Sequence, residues 1–314
     1  MLNRRHIRIK VMQTIYAFGA DENEDLKKYE AFLNQSFNGM FDLHVSILAL
    51  LVEVQKRAES QIERTKNQIL NNNKGIPSAV KLANNQLLLL LRNDAEFTEL
   101  VEKRKLNFWY LDFEYVEILF KSILNSKLYA SYLGEIEESF KIDRNFVADI
   151  FSEIIAPNEK LYDYFEDKKL TWLDDLPLIN TSLLRLIQKA KPHSNIHHFL
   201  PELFRDEDDR EFGMALLKKT VLNSSKLNNE VTNYTTNWDS ERIAQMDMVL
   251  LQMAICEFQN FNSIPFKVTI NEYIEIAKEY STPKSSIFIN GILDRIVKDY
   301  KESLKYVKVG RGLL

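Results

Sequence analysis

The chain is short of the residues that break helices and of those that cross-link chains. Among 314 residues there are 8 glycines and 7 prolines, too few for a turn-rich sheet fold, so long helices are favoured. Cys256 is the single cysteine. One thiol cannot close an internal disulfide, and a cysteine-rich zinc site is excluded. No apolar run approaches the roughly 20 residues that span a bilayer; the best, Ser46 to Val54 and Leu87 to Leu91, are far shorter. A global excess of positive charge is missing too. The net charge is -4, so contact with a polyanion has to come from a local cluster of Lys and Arg. The N-terminus has no apolar signal core; it is basic and amphipathic, which leaves a transit peptide open as one reading. The expectation is a cytoplasmic protein with no membrane contact, no cofactor and no enzymatic activity.

What is present is helical periodicity. The spacing of apolar residues predicts helices over 4–18, 42–70, 79–92, 94–105, 111–132, 144–156, 158–168, 178–191, 210–235, 239–260, 270–280 and 284–305. An acidic loop, Asp21 to Asp25, follows the first helix, and Asn71 to Pro77 stops the long second one. The polar stretch from Pro192 to Asp209 reads as irregular and is the best boundary. At an offset of 66 residues, Phe146, Lys160, Leu161, Trp172 and Leu184 match Phe212, Lys226, Leu227, Trp238 and Leu250. Either a helical unit was duplicated or similar helix pairs select similar core residues.

Three segments carry information. In the first, Arg4, Arg5, Arg8 and Lys10 stand in the opening ten residues without an acid. At about 100° per residue, Ile7, Val11, Ile15 and Phe18 share one face, and Arg4, Arg5, Arg8 and Tyr16 fall on an adjoining arc. Cations suit phosphates and an aromatic ring suits an unstacked base; a solvated basic helix end has the same look. In the second segment, Asp239 is a candidate N-cap. Ile243, Met246, Leu250, Met253, Ala254 and Phe258 form an apolar face, among which Asp247 and Glu257 need polar or cationic partners. In the third, Thr269 and Glu272 have capping-box spacing, and Thr282-Pro283 resembles another helix start. Gly291 sits inside the last helix, where it costs about 1 kcal/mol relative to Ala. That cost suggests close approach by another helix or a ligand, with Asn290 beside it able to bond a neighbouring backbone.

At these segments the chain resembles the NusB family. The Arg-rich opening runs into Gln13-Thr14-Ile15-Tyr16; the centre runs from Asp247 through Leu251-Gln252-Met253-Ala254 to Glu257; the end reads Pro265 to Glu272 and then Phe288 to Asp294. The last pair at this spacing is the specific signal. The chain departs from the pattern at Gln252, where the family has Arg, and at His6 and Ile7, which interrupt the Arg run. The resemblance covers about residues 3–20 and 208–300. It implies an all-α fold of NusB-like helical bundles with an additional helical extension: residues 1–20 plus 201–308 as the RNA-binding domain, and 21–200 as an insertion or extra domain.

By resemblance, the implied role is transcription antitermination. The chain would bind single-stranded boxA RNA of nascent ribosomal transcripts together with a NusE-like small-subunit ribosomal protein, in a complex with NusA, NusG and RNA polymerase. The implied RNA-contacting residues are Arg4, Arg5, Arg8, Tyr16, Phe288 and Asn290, and the implied partner-binding residues are Tyr16 and Asp247. Competing readings stay open. An RNA methyltransferase fusion would need a Gly-rich α/β domain, and 21–200 shows no strand–loop–helix pattern. His193 and His197 have i,i+4 spacing with His198 alongside, but lack a ligand pair from elsewhere. A protein-binding scaffold without RNA would use the aromatics Trp109, Tyr110, Phe113 and Tyr115 as anchors. Gly310-Arg311-Gly312 reads as a flexible tail.

Overall fold

The computed structural model describes residues 2–19, 25–67, 78–235, 243–304, 306 and 308–309. Among them there is no strand. The helices are α1 (Arg4–Phe18), α2 (Leu26–Asn67), α3 (Val80–Ala83), α4 (Gln86–Arg92), α5 (Ala95–Lys103), α6 (Phe113–Leu124), α7 (Lys127–Gly134), α8 (Phe140–Ile150), α9 (Glu159–Lys168), α10 (Leu176–Lys189), α11 (Ile196–Phe199), α12 (Glu207–Leu222), α13 (Ser224–Tyr234), α14 (Gln245–Asn260), α15 (Phe266–Tyr280) and α16 (Ser285–Glu302). Two compact units divide the chain: Met1–Phe37 with Leu203–Leu314, and Asn38–Glu202. Among the described residues, 25–37, assigned to the insertion by sequence, fall in the first unit.

Capping explains where the helices differ from the periodicity. Asn85 accepts from Leu87 N and Leu88 N, which closes α3 and starts α4 inside the run expected over 79–92. Ser126 accepts from Tyr129 N and splits the run over 111–132 into α6 and α7. Short Asn and Ser side chains satisfy free N–H groups at a helix start, and so favour a new helix over continuation. The stretch 192–209 is less irregular than expected, since it holds α11 and the start of α12. The Thr269–Glu272 capping box is not formed. Helix α15 begins earlier, at Phe266 after Pro265, and Thr269 lies buried within it. Asp21 to Glu24, Asn71 to Pro77, Trp238, Asp239 and Gly310 to Gly312 lie outside the described residues.

In the first unit α14 is the centre, packed by α1, α12, α13, α15 and α16. It buries Val249, Leu251, Ile255 and Cys256 as well as Leu250, Met253, Ala254 and Phe258 of the stripe seen in the sequence, as a helix covered on several sides must; Ile243, before the helix, and Met246 are half-buried. Helix α1 lies very close to α12 because residue 213 is glycine: a Cβ there would meet Ile7 Cγ2 at 2.7 Å and Phe37 Cζ at 3.2 Å.

The second unit is built on indole anchors. Trp109 Nε1 donates to Ser46 O at 2.8 Å and Trp172 Nε1 to Gly39 O at 2.7 Å. Tyr164, tilted, and Phe165, edge-on, pack against Trp109. Within α2, Leu26–Arg64 is long and apolar enough to cross a membrane, with an 18-residue window of mean hydropathy 1.5. A search for uninterrupted apolar runs passes over it. Of that window 78% is buried inside the fold, which is the pattern of a core helix.

His44 on α2 sets a pH dependence. Its Nε2 lies 2.6 Å from Phe199 O, and Nδ1 is buried with no hydrogen-bond partner. Burial pushes its pKa down from 6.5 to about 4. The unfolded chain therefore binds a proton between those values that the folded chain does not, so stability present above pH 6.5 is lost as pH falls towards 4. The expected contribution is about 3 kcal/mol across that window. Urea unfolding at pH 7 and pH 4.5 should show a smaller loss for His44→Gln than for the native chain; equal losses would remove His44 as the cause.

Candidate nucleic-acid interface

Helix α1 starts from Asn3, whose side chain accepts from His6 N, and packs on α12, α14 and α15. That setting decides where each arginine goes. Arg4 is exposed and reaches Asp209 through Nε at 2.8 Å, leaving its terminal nitrogens without a partner among the described residues. Arg5 is half-buried and bidentate to Glu272, through Nε and Nη2, both at 2.9 Å. This bond holds the Glu272 carboxyl below the usual carboxylate range and raises the Arg5 guanidinium.

Arg8 is placed differently from the expectation of a phosphate contact. It is 2% exposed and bidentate to the fully buried Glu257, at 2.8 and 2.7 Å. Burial pulls its pKa down, but the attraction of Glu257 and its hydrogen bonds outweigh that, and the guanidinium stays charged. Thr269 Oγ1 and Tyr273 Oη also donate to Glu257, so this carboxylate finds the cationic and polar partners its sequence context required. Arg4 and Arg8 both stand over the Phe212 ring, at 5.2 and 5.0 Å from its centroid.

Arg4, Arg5, Arg8 and Glu272 line one open groove of about 540 Å³ with Asn3, Ser263, Ile264, Pro265 and Val268. Three guanidinium groups face one carboxylate on its walls, and Val268 adds an exposed apolar surface. Sequence reasoning missed Glu272 and Asp209 as partners. The acid after Asn271 was the available signal, but it had been read as a cap.

Tyr16 stands at the other end of α1 and is 44% exposed. Asp247 is buried: it accepts from Ser281 Oγ at 2.5 Å and Ser285 Oγ at 2.7 Å. It thereby ties the first turn of α14 to the end of α15 and the start of α16. Phe288 and Asn290 are half-buried on α16, which packs on α13, α14 and α15; α14 and α15 each touch both α1 and α16. Asn290 makes no side-chain hydrogen bond among the described residues, contrary to the backbone bond expected of it. Gly291 is also a correction: it is exposed, and a Cβ there would meet nothing within 4 Å, so no helix approaches it. His198 Nε2 bonds Leu186 O and His197 faces Glu96. No group of three or more His, Cys, Asp or Glu able to hold a metal occurs among the described residues.

Comparison with known proteins matches the second and third of the segments singled out in the sequence, and residues 3–20 lie outside the family-model match. The NusB family model matches residues 183–298. The transcription antitermination protein NusB of Salinibacter ruber is 39% identical over 119 residues, covering 37% of this chain and 74% of the relative. The protein of that name from Acetivibrio thermocellus is 36% identical over 112 residues, covering 36% and 77%. A solved NusB from T. maritima is 33% identical, covers 33% of this chain and 76% of its own, and has a TM-score of 0.29. With about three quarters of these curated relatives matched at this identity, the chain belongs to the NusB family.

Proposed function

We propose that the chain is a transcription antitermination factor of the cytoplasm that binds single-stranded boxA RNA together with a NusE-like small-subunit ribosomal protein. NusA, NusG and RNA polymerase complete the assembly. The chain acts by binding, not by catalysis. The observation that carries this reading is the groove at the start of α1, where Arg4 keeps its terminal nitrogens free beside Arg5. Arg4 can take a phosphate without giving up Asp209, because a guanidinium has five donors and Asp209 uses one. Arg8 serves indirectly, by holding α1 in place beneath the groove. Tyr16 offers a ring for an unstacked base, a contact worth about 1–3 kcal/mol. Phe288 and Asn290 on α16 extend the surface, and Tyr16 with the Asp247-centred joint of α14, α15 and α16 forms the partner-facing end. Few phosphates are neutralised, so affinity without the protein partner is modest.

Filter binding with boxA RNA, with and without the NusE-like protein, tests the proposal. Arg4→Ala with Arg5→Ala should weaken binding by about 10–100-fold. It should also flatten the dependence of log affinity on log salt by about 0.7 per lost phosphate contact. An unchanged salt slope would take the groove out of the interface. Absence of RNA binding by the native chain, even with the partner, would leave a protein scaffold instead.

A further inference from the structure

Helix α10 and the turn after it carry charge of one sign only. From Leu176 to Pro201 the sequence holds Arg185, Lys189, Lys191 and three histidines but no acid, in a chain with 45 acids among 314 residues. Arg185, Lys189, Lys191 and His193 are all exposed. Arg185 and Lys189 stand four residues apart and share one stripe of the helix. At Ala190 the backbone becomes extended and leaves the helix. Ser194 closes the turn that follows: its Oγ accepts from Lys191 N at 3.0 Å, and its N–H donates to Lys191 O at 2.9 Å. The turn holds Lys191, Pro192 and His193 out in solvent. Arg144 joins them from α8, where its Nη1 donates to the carbonyl of Ala190, the residue between the two lysines, at 3.4 Å.

These cations are not spent within the fold. Arg185, Lys189 and Lys191 make no ion pair among the described residues. Nearby acids are engaged elsewhere. Asp143 on α8 is buried and accepts from Tyr132 Oη and Gln86 N. Asp94 caps α5 and accepts from Ile196 N, and Glu96 faces His197. Asp149 and Glu153, five and nine residues past Arg144, pair with none of these cations. The carbonyls that end α10 favour one cation, and Arg144 supplies it. Arg185, Lys189 and Lys191 are then in excess, and like charges four residues apart weaken a helix. Their partner lies outside the chain.

A row of separate cations fits a chain of phosphates. An anionic membrane would need apolar anchors beside the cations, and no large apolar side chain between Thr181 and His197 is exposed. Histidine rings can stack on unpaired bases. We propose that the end of α10 and the turn 191–194 form a second RNA-binding surface, in which Arg185, Lys189, Lys191 and Arg144 hold phosphates of a single-stranded RNA and His193 offers its ring to a base. The inference rests on the boxA reading only in taking RNA as the polyanion. All its residues belong to the second unit. Contacts to phosphates carry no sequence information, so this surface adds affinity for RNA outside boxA.

Anisotropy titration of an oligouridylate of about 20 nucleotides, which lacks boxA, tests the proposal. Arg185→Gln with Lys189→Gln and Lys191→Gln should weaken binding by the full chain about tenfold and flatten the dependence of log affinity on log salt by about 2, at roughly 0.7 per lost contact. The charge-keeping variant Arg185→Lys with Lys189→Arg and Lys191→Arg should bind as the native chain does. Both should keep the native melting temperature, since the side chains are exposed. The same loss should appear in the Arg4→Ala, Arg5→Ala background, where the α1 groove no longer contributes. An unchanged affinity and salt slope in the glutamine variant would overturn the proposal. So would a native chain that ignores oligouridylate, or one that uses these residues only on phosphatidylserine vesicles or on an acidic protein. A chain that binds oligouridylate through α10 but not boxA keeps this surface and loses the boxA reading; one that binds boxA alone does the reverse.

Discussion

Replacing Arg8 with methionine is expected to destabilise the first unit by about 3–5 kcal/mol, the cost of stranding one charge of a buried pair. Arg8 and Glu257 are 2% and 0% exposed, and share two bonds of 2.7–2.8 Å. Without the guanidinium, Glu257 keeps only the hydroxyls of Thr269 and Tyr273, too little to hold a carboxylate away from water. Glu257→Met should cost a similar amount for the opposite reason, partly relieved by Glu272, which stands 3.9 Å from Arg8 Nη1. The double variant Arg8→Met with Glu257→Met should recover most of either loss, because two apolar side chains of similar volume need no partner. Urea unfolding of the four proteins closes the cycle. If the double variant falls by the sum of the two single losses, the pair is not a unit, and Arg8 has some other role.

Trp109→Ala should cost the second unit about 3–5 kcal/mol, since it removes a fully buried indole and leaves a cavity. Trp109 is 1% exposed, touches Tyr164 and Phe165, and donates to Ser46 O. Trp109→Phe separates the two contributions. It keeps a ring but leaves the Ser46 carbonyl without its donor, for about 1–3 kcal/mol. Thermal melts followed by the remaining tryptophans read both. A loss under about 1 kcal/mol for the alanine variant would mean the turn Phe108–Tyr110 is not pinned by Trp109.

The all-helical class was legible because glycine and proline are scarce and apolar residues recur at helical spacing. Helix α1 could be read over 4–18 from the spacing of its apolar residues, and the structure places it over Arg4–Phe18. The breaks at Asn84-Asn85 and Asn125-Ser126 were missed although the capping residues were visible, because the apolar stripe runs on across them. The site was legible as a set of residues, not as a set of exposures. Periodicity placed Arg8 on the arc beside Arg4 and Arg5. What buries it is Glu257, 249 positions away, and no local pattern reveals that pairing. Gly291 drew attention as a costly helix residue and proved open to solvent. Gly213, whose hydrogen is what lets α1 approach α12, gave no sign in the sequence, because the cost of a glycine is local and its reason is tertiary.

The Arg8–Glu257 clasp also sets the rotational phase of the opening helix. Each residue turns the chain by about 100°, so a single insertion between Arg5 and Arg8 would swing the two outer guanidiniums a quarter turn or more away from the mouth of the groove while the clasp stayed shut. Lysine at position 8 would hold the charge but not the angle, because a point charge on a flexible stem lacks the planar two-pronged grip that indexes one helix against another.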